Sequence, residues 1–371
     1  MSNPKTFCAV PFVEGFSDAA GGWRNCCSAS PQIKSGKDVD FASWWNSTQL
    51  NNFRKQFGGD TLPAECSGCA VQEKAMGSSF RTAVNETVNL QNIKTDWPSR
   101  WNVHFGNVCN LACWSCNENN SSTIEQHKHK LSLLSKNYAS PDDIFKKNWN
   151  NTKKNMLKSY LYHEFVTLTI LGGEPLFNNL VIDFLNFLVE NSLSHRTRLE
   201  FHTNATKFDE KIQNILLPGK WKYICVFLSL DSTGKKAEWL RYGCSWEKIK
   251  KNIPLIKECA DYLEVQCTLS VLNISDLEEL EQFCIENGLP LKVFPLSTPS
   301  FMSIVSWDSD KNLFLNNIDV NHKKFKTYYE MLGSHPVDGM HNKLKNYIMS
   351  FEKIRRPLRQ FNERLHDILF L

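Results

Sequence analysis

Three cysteines stand at CxxxCxxC spacing in the segment Cys109-Asn110-Leu111-Ala112-Cys113-Trp114-Ser115-Cys116. Thiolates at such spacing are ligands for zinc or for iron–sulfur clusters. Zinc takes four protein ligands at a structural site, usually as two CxxC pairs, and no fourth Cys or His follows here at zinc spacing. Three thiolates on one tight loop can each hold one iron of a 4Fe–4S cube. The fourth iron then has no protein ligand from the loop and is open to a substrate or a cofactor.

A second group of residues able to do chemistry is Gly172-Gly173-Glu174-Pro175. Two glycines let a backbone approach a ligand closely, and Glu174 offers acceptors for an ammonium. Alone, the motif reads equally as a strand-to-helix turn. A third group lies near the N-terminus. Cys66-Ser67-Gly68-Cys69 is a CxxC, a spacing common to zinc and iron–sulfur sites, and it follows Cys8, Cys26 and Cys27. The remaining cysteines, Cys225, Cys244, Cys259, Cys267 and Cys284, are scattered singly in apolar or helical patterns and read as small buried hydrophobes.

The elements that position these residues follow from periodicity. Residues 1 to 95 read as short pieces: a hairpin around Asp18-Ala19-Ala20-Gly21-Gly22, a helix from near Ser47 stopped by Gly58-Gly59, and a helical stretch after Cys66. From residue 101 the pattern alternates. Strands are expected at Trp101 to Phe105, Phe165 to Leu171, Arg198 to His202, Tyr223 to Leu230, Leu263 to Leu272 and Leu291 to Leu296, with helices between them. Six strands alternating with helices predict an α/β fold with a parallel sheet. The expected architecture is a partial (β/α)6 TIM-like barrel over 96–297, with a small N-terminal cysteine-rich domain over 1–95 and a helical C-terminal extension over 298–371. The cysteine triplet would follow the first strand and Gly172-Gly173-Glu174 the second. Thr203-Asn204 would close the third strand, and Ser229 and Asp231 the fourth, with Arg241-Tyr242 after it. Strand C-termini are where such folds place their sites.

Composition excludes several classes. With 42% hydrophobic and 12% aromatic residues in 371, the chain has ample core and is not disordered. No run of about 18 apolar residues exists, so no membrane helix is expected. The start, Met1 to Cys8, has no apolar h-region, so no secretory signal is expected and the thirteen cysteines do not read as a disulfide scaffold. A cytoplasmic location is the expectation. The net charge of +4 is too small to indicate nucleic acid by itself. From His341 onward seven Lys/Arg face three Asp/Glu, which reads as a solvated helix face or as a partner or nucleic-acid contact.

A CxxxCxxC directly after the first strand of a β/α barrel, with Gly172-Gly173-Glu174 after the second, resembles the radical S-adenosylmethionine (radical SAM) superfamily. The resemblance implies that the open iron is chelated by the amino and carboxylate groups of SAM. An electron from the reduced cluster then cleaves SAM to methionine and a 5′-deoxyadenosyl radical, which abstracts hydrogen from a substrate. It implies SAM contacts at Gly172, Gly173 and Glu174, at Thr203 and Asn204, at Ser229 and Asp231, and at Arg241, the last toward the carboxylate. It also implies a reducing electron donor such as a flavodoxin or ferredoxin. Many relatives carry a large apolar residue just before the third cysteine; here that residue is Ser115, with Trp114 one place earlier.

The string Cys8-Ala9-Val10-Pro11-Phe12, the glycine hairpin, Asn25-Cys26-Cys27 and Cys66-x-x-Cys69-x-x-x-Glu73 resembles the auxiliary-cluster domains called SPASM or Twitch, which usually follow the barrel and here precede it. This implies a second 4Fe–4S cluster on Cys8, Cys26, Cys66 and Cys69, with Cys27 as the alternative to Cys26. A structural zinc stapling a small domain is the other reading of these thiols. Members with auxiliary clusters often modify peptides or proteins, which makes such a substrate the expectation; a sugar, nucleoside or tRNA is the alternative. A non-catalytic iron–sulfur or zinc protein is the rival from another class, and it would need no open iron.

Overall fold

The computed structural model describes residues 6–36, 39–57, 59–88, 90, 93–315 and 318–370. Gly58 of the expected helix stop and Met1 to Lys5 of the N-terminal reading lie outside them. Ten strands run in chain order: β1 Glu14–Ser17, β2 Trp23–Arg24, β3 Arg100–His104, β4 Ala112–Cys113, β5 Val166–Leu171, β6 Thr197–Thr203, β7 Tyr223–Ser229, β8 Arg241–Tyr242, β9 Tyr262–Leu269 and β10 Leu291–Pro295. Eight of them form one sheet in the order β10-β9-β7-β6-β5-β3-β1-β2, and β4 pairs with β8 in a separate two-stranded ladder. The six strands expected from periodicity are β3, β5, β6, β7, β9 and β10, and every pairing among them is parallel. The fold is α/β, and among the described residues the sheet stays open.

Each strand carries two different faces. In β5 Val166, Leu168 and Ile170 are buried while Thr167, Thr169 and Leu171 are half-buried. In β6 Leu199 and Phe201 are buried while Arg198, Glu200 and His202 are half-buried. The buried set packs against amphipathic helices such as Asn179–Glu190, whose Val181, Ile182, Leu185 and Leu188 are buried. Parallel sheets are usually apolar on both sides. Here the second face is polar: Arg198 reaches Glu200 at 2.6 Å, Arg100 lies 3.7 Å from Glu200, and Arg100 lies 3.5 Å from Glu14.

The N-terminal segment is joined to this sheet. β1 and β2 form the expected hairpin, with Phe16 opposite Arg24, but β1 also pairs in parallel with β3, Gly15 opposite Trp101. Val10, Trp45 and Phe53 share one hydrophobic core with Leu168 and Phe201 and with Ile348 and Phe351 of the C-terminal extension. That extension holds the helices Lys326–Met331, Met340–Glu352 and Glu363–Phe370. The helix Ser122–Lys130 ends just before Ser132, which takes a positive φ of 56°. Among the described residues no helix is long and apolar enough to cross a membrane.

Glu14 makes the polar face pH-sensitive. Burial pushes its carboxyl up to about 7, although Arg100 pulls it down. The unfolded chain releases that proton near 4.5, so the folded state holds it over a window in which the unfolded state does not. The contribution of Glu14 to stability must therefore fall as pH rises from about 4.5 to 7, by at most roughly 3 kcal/mol. His202, lowered to about 4 by burial, acts in the opposite sense because the unfolded chain takes up its proton first. Comparing Glu14→Gln with the parent isolates the carboxyl: the variant should lose less stability across pH 4.5 to 7 in denaturant titrations. Parallel pH curves would refute the assignment.

Candidate functional site

β3 ends at His104, and the chain runs through Phe105-Gly106-Asn107-Val108 into the cysteine loop. The start of the helix Ser122–Lys130 holds that loop. The Ser122 hydroxyl accepts from the Cys109 N–H at 3.1 Å, Thr123 donates to the Cys109 carbonyl at 2.7 Å, and Ser121 donates to the Leu111 carbonyl at 2.6 Å. Asn107 donates to the Glu118 carbonyl and to the Glu125 carboxylate, bracing the loop on its far side. Ala112 and Cys113 then pair antiparallel with Tyr242 and Arg241.

Gly172 and Gly173 meet this loop main chain to main chain. Gly172 has φ +118°, and a Cβ on it would overlap the Gly106 carbonyl oxygen; a Cβ on Gly173 would overlap the Val108 carbonyl oxygen. Backbone cannot move aside as a side chain can, so glycine is required at both positions. The Gly173 N–H donates to Gly106 at 3.2 Å and the Glu174 N–H to Val108 at 2.8 Å. The glycines expected to admit a ligand therefore admit the neighbouring chain.

Glu174 is fully enclosed and joins two strand ends. Its carboxylate accepts from the Leu176 N–H at 3.2 Å, the Thr203 hydroxyl at 2.8 Å and the Asn204 N–H at 2.7 Å. Burial raises its carboxyl above the usual range, and these donors pull it back. Asn204 continues the network by donating to Asn110 at 3.0 Å, inside the cysteine loop, while Asn110 donates to Thr206 at 2.9 Å. Thr203 and Asn204 are thus brought to the loop as expected. Asn110, Thr206 and Ser121 were not singled out from the sequence, because polar residues in turns carry no signal of a partner up to 96 residues away.

Ser229 ends β7 half-buried beside Gln266. Asp231 and Arg241 are buried and paired, Nε to Oδ2 at 2.9 Å, and Asp231 also accepts from the Thr268 N–H. The second face of Arg241 is turned to the loop, with Nη1 3.9 Å from the Cys113 sulfur. Burial would lower the Arg241 pKa, but Asp231 and Cys113 raise it. The guanidinium expected to face a carboxylate thus already has an anion on one side and a thiol on the other.

The three loop thiols suit a polycationic core. Burial, then their mutual repulsion, pushes Cys116 up to about 12 and raises Cys109; burial raises Cys113 against the pull of Arg241 and Arg355. Such thiols ionise together only around metal.

Cys8, Cys26, Cys66 and Cys69 line one apolar cavity, with Val10, Pro11, Phe53, Phe57, Phe80 and Arg81 around them. Cys27 is exposed and does not line it. Burial, then neighbouring thiols, raises Cys66 to about 12. Arg81 and Asn85 both donate to the Phe7 carbonyl, and the Ala9 N–H donates to Asn85, so Cys8 is clamped on both sides. Glu73 in turn accepts from Arg81 and Ser79. All thirteen cysteines are free; Cys225, Cys267 and Cys284 are buried as expected, whereas Cys244 and Cys259 are half-buried. Among the described residues no group of three or more His, Cys, Asp or Glu could hold a single metal ion.

No protein-family model matches the chain, and no curated protein matches it. Among solved structures the chain is similar to native anSMEcpe with bound AdoMet and Cp18Cys peptide, at 18% identity and a TM-score of 0.39 over 66% of this chain. The match spans 64% of that chain, less than two thirds of its length. It is also similar to native anSMEcpe with bound AdoMet, at 19% identity and a TM-score of 0.41, covering 66% of this chain and 65% of that one. Streptococcus suis SuiB bound to precursor peptide SuiA matches 81% of this chain and 66% of its own, at 16% identity and a TM-score of 0.40.

The hub role of Glu174 is testable without any cofactor. Glu174→Gln keeps the shape but turns one acceptor into a donor facing the donors of Thr203, Asn204 and Leu176. A buried polar mismatch of this kind costs about 1–3 kcal/mol. The metal-free variant should melt at a lower temperature than the metal-free parent. Equal melting temperatures would remove Glu174 from the network.

Proposed function

We propose that the chain is a radical SAM enzyme. The observation that carries this reading is that its separated motifs form one assembly at the strand C-termini. Cys109, Cys113 and Cys116 lie on a loop gripped by the main chain of Gly172-Gly173-Glu174 and tied through Asn110 to Thr203-Asn204. Cys109, Cys113 and Cys116 would hold a 4Fe–4S cluster, which would supply the one-electron reductive cleavage of SAM that starts hydrogen abstraction from the substrate.

The chain's own residues bind, orient and exclude water. Glu174 has three donors on its carboxylate, leaving about one acceptor site for the SAM ammonium. Thr203, Asn204, Ser229, Asp231 and Arg241 border the same strand ends and take the remaining SAM contacts. The organisation is an N-terminal auxiliary segment over 1–95, a radical-generating partial barrel over 96–297 and a helical extension over 298–371. Cys8, Cys26, Cys66 and Cys69 hold a second 4Fe–4S cluster; their placement around one clamped cavity supports this. The polar face of the sheet offers hydrogen-bonding and charged groups, and a peptide or protein is the substrate class that suits them, with a flavodoxin or ferredoxin as reductant in the cytoplasm.

Anaerobic reconstitution followed by reduction tests this directly. The protein should convert SAM slowly to 5′-deoxyadenosine without substrate, and Cys113→Ala should abolish the conversion by removing one iron ligand. A variant that keeps both cluster and cleavage would overturn the assignment. The parent should hold roughly 8 iron, two cubes, and a variant lacking Cys66 and Cys69 about 4, with its SAM-responsive spectrum intact. Zinc bound tightly in place of the second set of iron would replace the auxiliary cluster by a structural staple.

A further inference from the structure

Arg355 lies just beyond the helix Met340–Glu352, in the basic stretch that reads from sequence as a solvated face or a partner or nucleic-acid contact. It is not solvated: the residue is only 4% exposed. Its guanidinium sits 4.4 Å from the Trp114 ring centre, 4.3 Å from Phe351 and 5.5 Å from Tyr242. Nε faces the His127 Nδ1 at 3.4 Å, and both terminal nitrogens are buried with no hydrogen-bond partner. Aromatic faces offset part of the desolvation of a cation, but an unpaired buried guanidinium remains costly. The arrangement calls for an anion that the protein atoms do not provide.

Two acids on neighbouring elements are committed elsewhere. Asp231 is paired with Arg241, and Glu118 with Lys128. The ring that Arg355 covers belongs to Trp114, which directly follows Cys113. Tyr242 directly follows Arg241, the residue paired with Cys113 across the β4–β8 ladder. Arg355 therefore backs the ladder that carries the second loop cysteine.

We propose that Arg355 is a buried counter-charge to the cysteine-ligated cluster at Cys113, acting from behind the β4–β8 ladder, which makes the C-terminal extension part of the radical-generating site. The inference rests on the proposed cluster at Cys109, Cys113 and Cys116. One-electron reduction adds one negative charge to that cluster. A buried cation beside it stabilises the reduced form, and hydrogen bonds to sulfur and solvent exclusion set the potential of such centres. Arg355 is a positioning residue: it tunes the cluster and reacts with nothing.

The test is a spectroscopic redox titration of the reconstituted full-length protein, with Arg355→Gln, Arg355→Lys and the packing control Phe351→Leu. Arg355→Gln should keep its iron but hold about tenfold less reduced SAM-site cluster at a fixed poise, a shift of about 59 mV to more negative potential. Arg355→Lys keeps the charge and should stay near the parent, as should Phe351→Leu. Midpoints equal in parent and Arg355→Gln would overturn the proposal, as would an equal shift in Phe351→Leu, which would make the effect one of packing. Weaker SAM binding with an unmoved potential would overturn it in favour of a SAM-carboxylate contact. If Arg355→Gln fails to fold, the lysine variant decides, since a lysine midpoint shifted as far as tenfold would contradict a charge effect. A parent that binds no iron at the three thiols overturns the underlying function as well, and is told apart by its iron count.

Discussion

Between the ends of β3 and β5 two main chains touch with no side chain between them. Gly173 and Glu174 donate their N–H groups to Gly106 and Val108, and no Cβ fits at Gly172 or Gly173. This contact fixes where the chain leaves β3 and so where the cysteine loop begins. It also brings the Glu174 carboxylate under Thr203 and Asn204, whose side chain reaches back to Asn110 in the loop. Three consecutive strand ends are thereby locked around three thiols. Pre-organisation of this kind is what a ligand set needs, because thiols ordered before metal arrives do not have to be ordered by it.

Charge is arranged around the same loop. Arg241 approaches Cys113 from β8 while paired with Asp231, and Arg355 backs the neighbouring Trp114. Two buried guanidinium groups near three half-buried thiols make an environment that favours anionic sulfur once a metal core is present. The stacking of Trp114 on Trp239, with Tyr347 and Phe351 edge-on, seals this side of the loop from water. The C-terminal extension thus closes the wall of the site and does not hang from the barrel as an independent appendage.

Much of this was legible in the sequence because it is written locally. The cysteine spacing, the glycine pair and the alternation of β3, β5, β6, β7, β9 and β10 with helices are all short-range patterns. The reason for Gly172 and Gly173 was not legible: only the fold reveals that the chain they admit is residues 106–108. The joining of β1 to β3 was missed because a four-residue strand gives little signal of a partner 86 positions away in the Glu14–Arg100 register. The ladder β4–β8 was missed for the same reason, each strand being two residues long. Arg355 was counted in a basic stretch read as a solvated face or a partner contact, because composition counts charges without saying which way they face.

The central claim is that three protein thiols leave one iron for SAM. The most direct measurement is electron–nuclear double resonance on the reduced, reconstituted protein with SAM carrying an isotopic label on its amino nitrogen. The account predicts a hyperfine coupling from that nitrogen, present in the parent and in the variant lacking Cys66 and Cys69, because the open iron belongs to the cluster at Cys109, Cys113 and Cys116. A reduced cluster that shows no coupling to the labelled nitrogen at saturating SAM would contradict it.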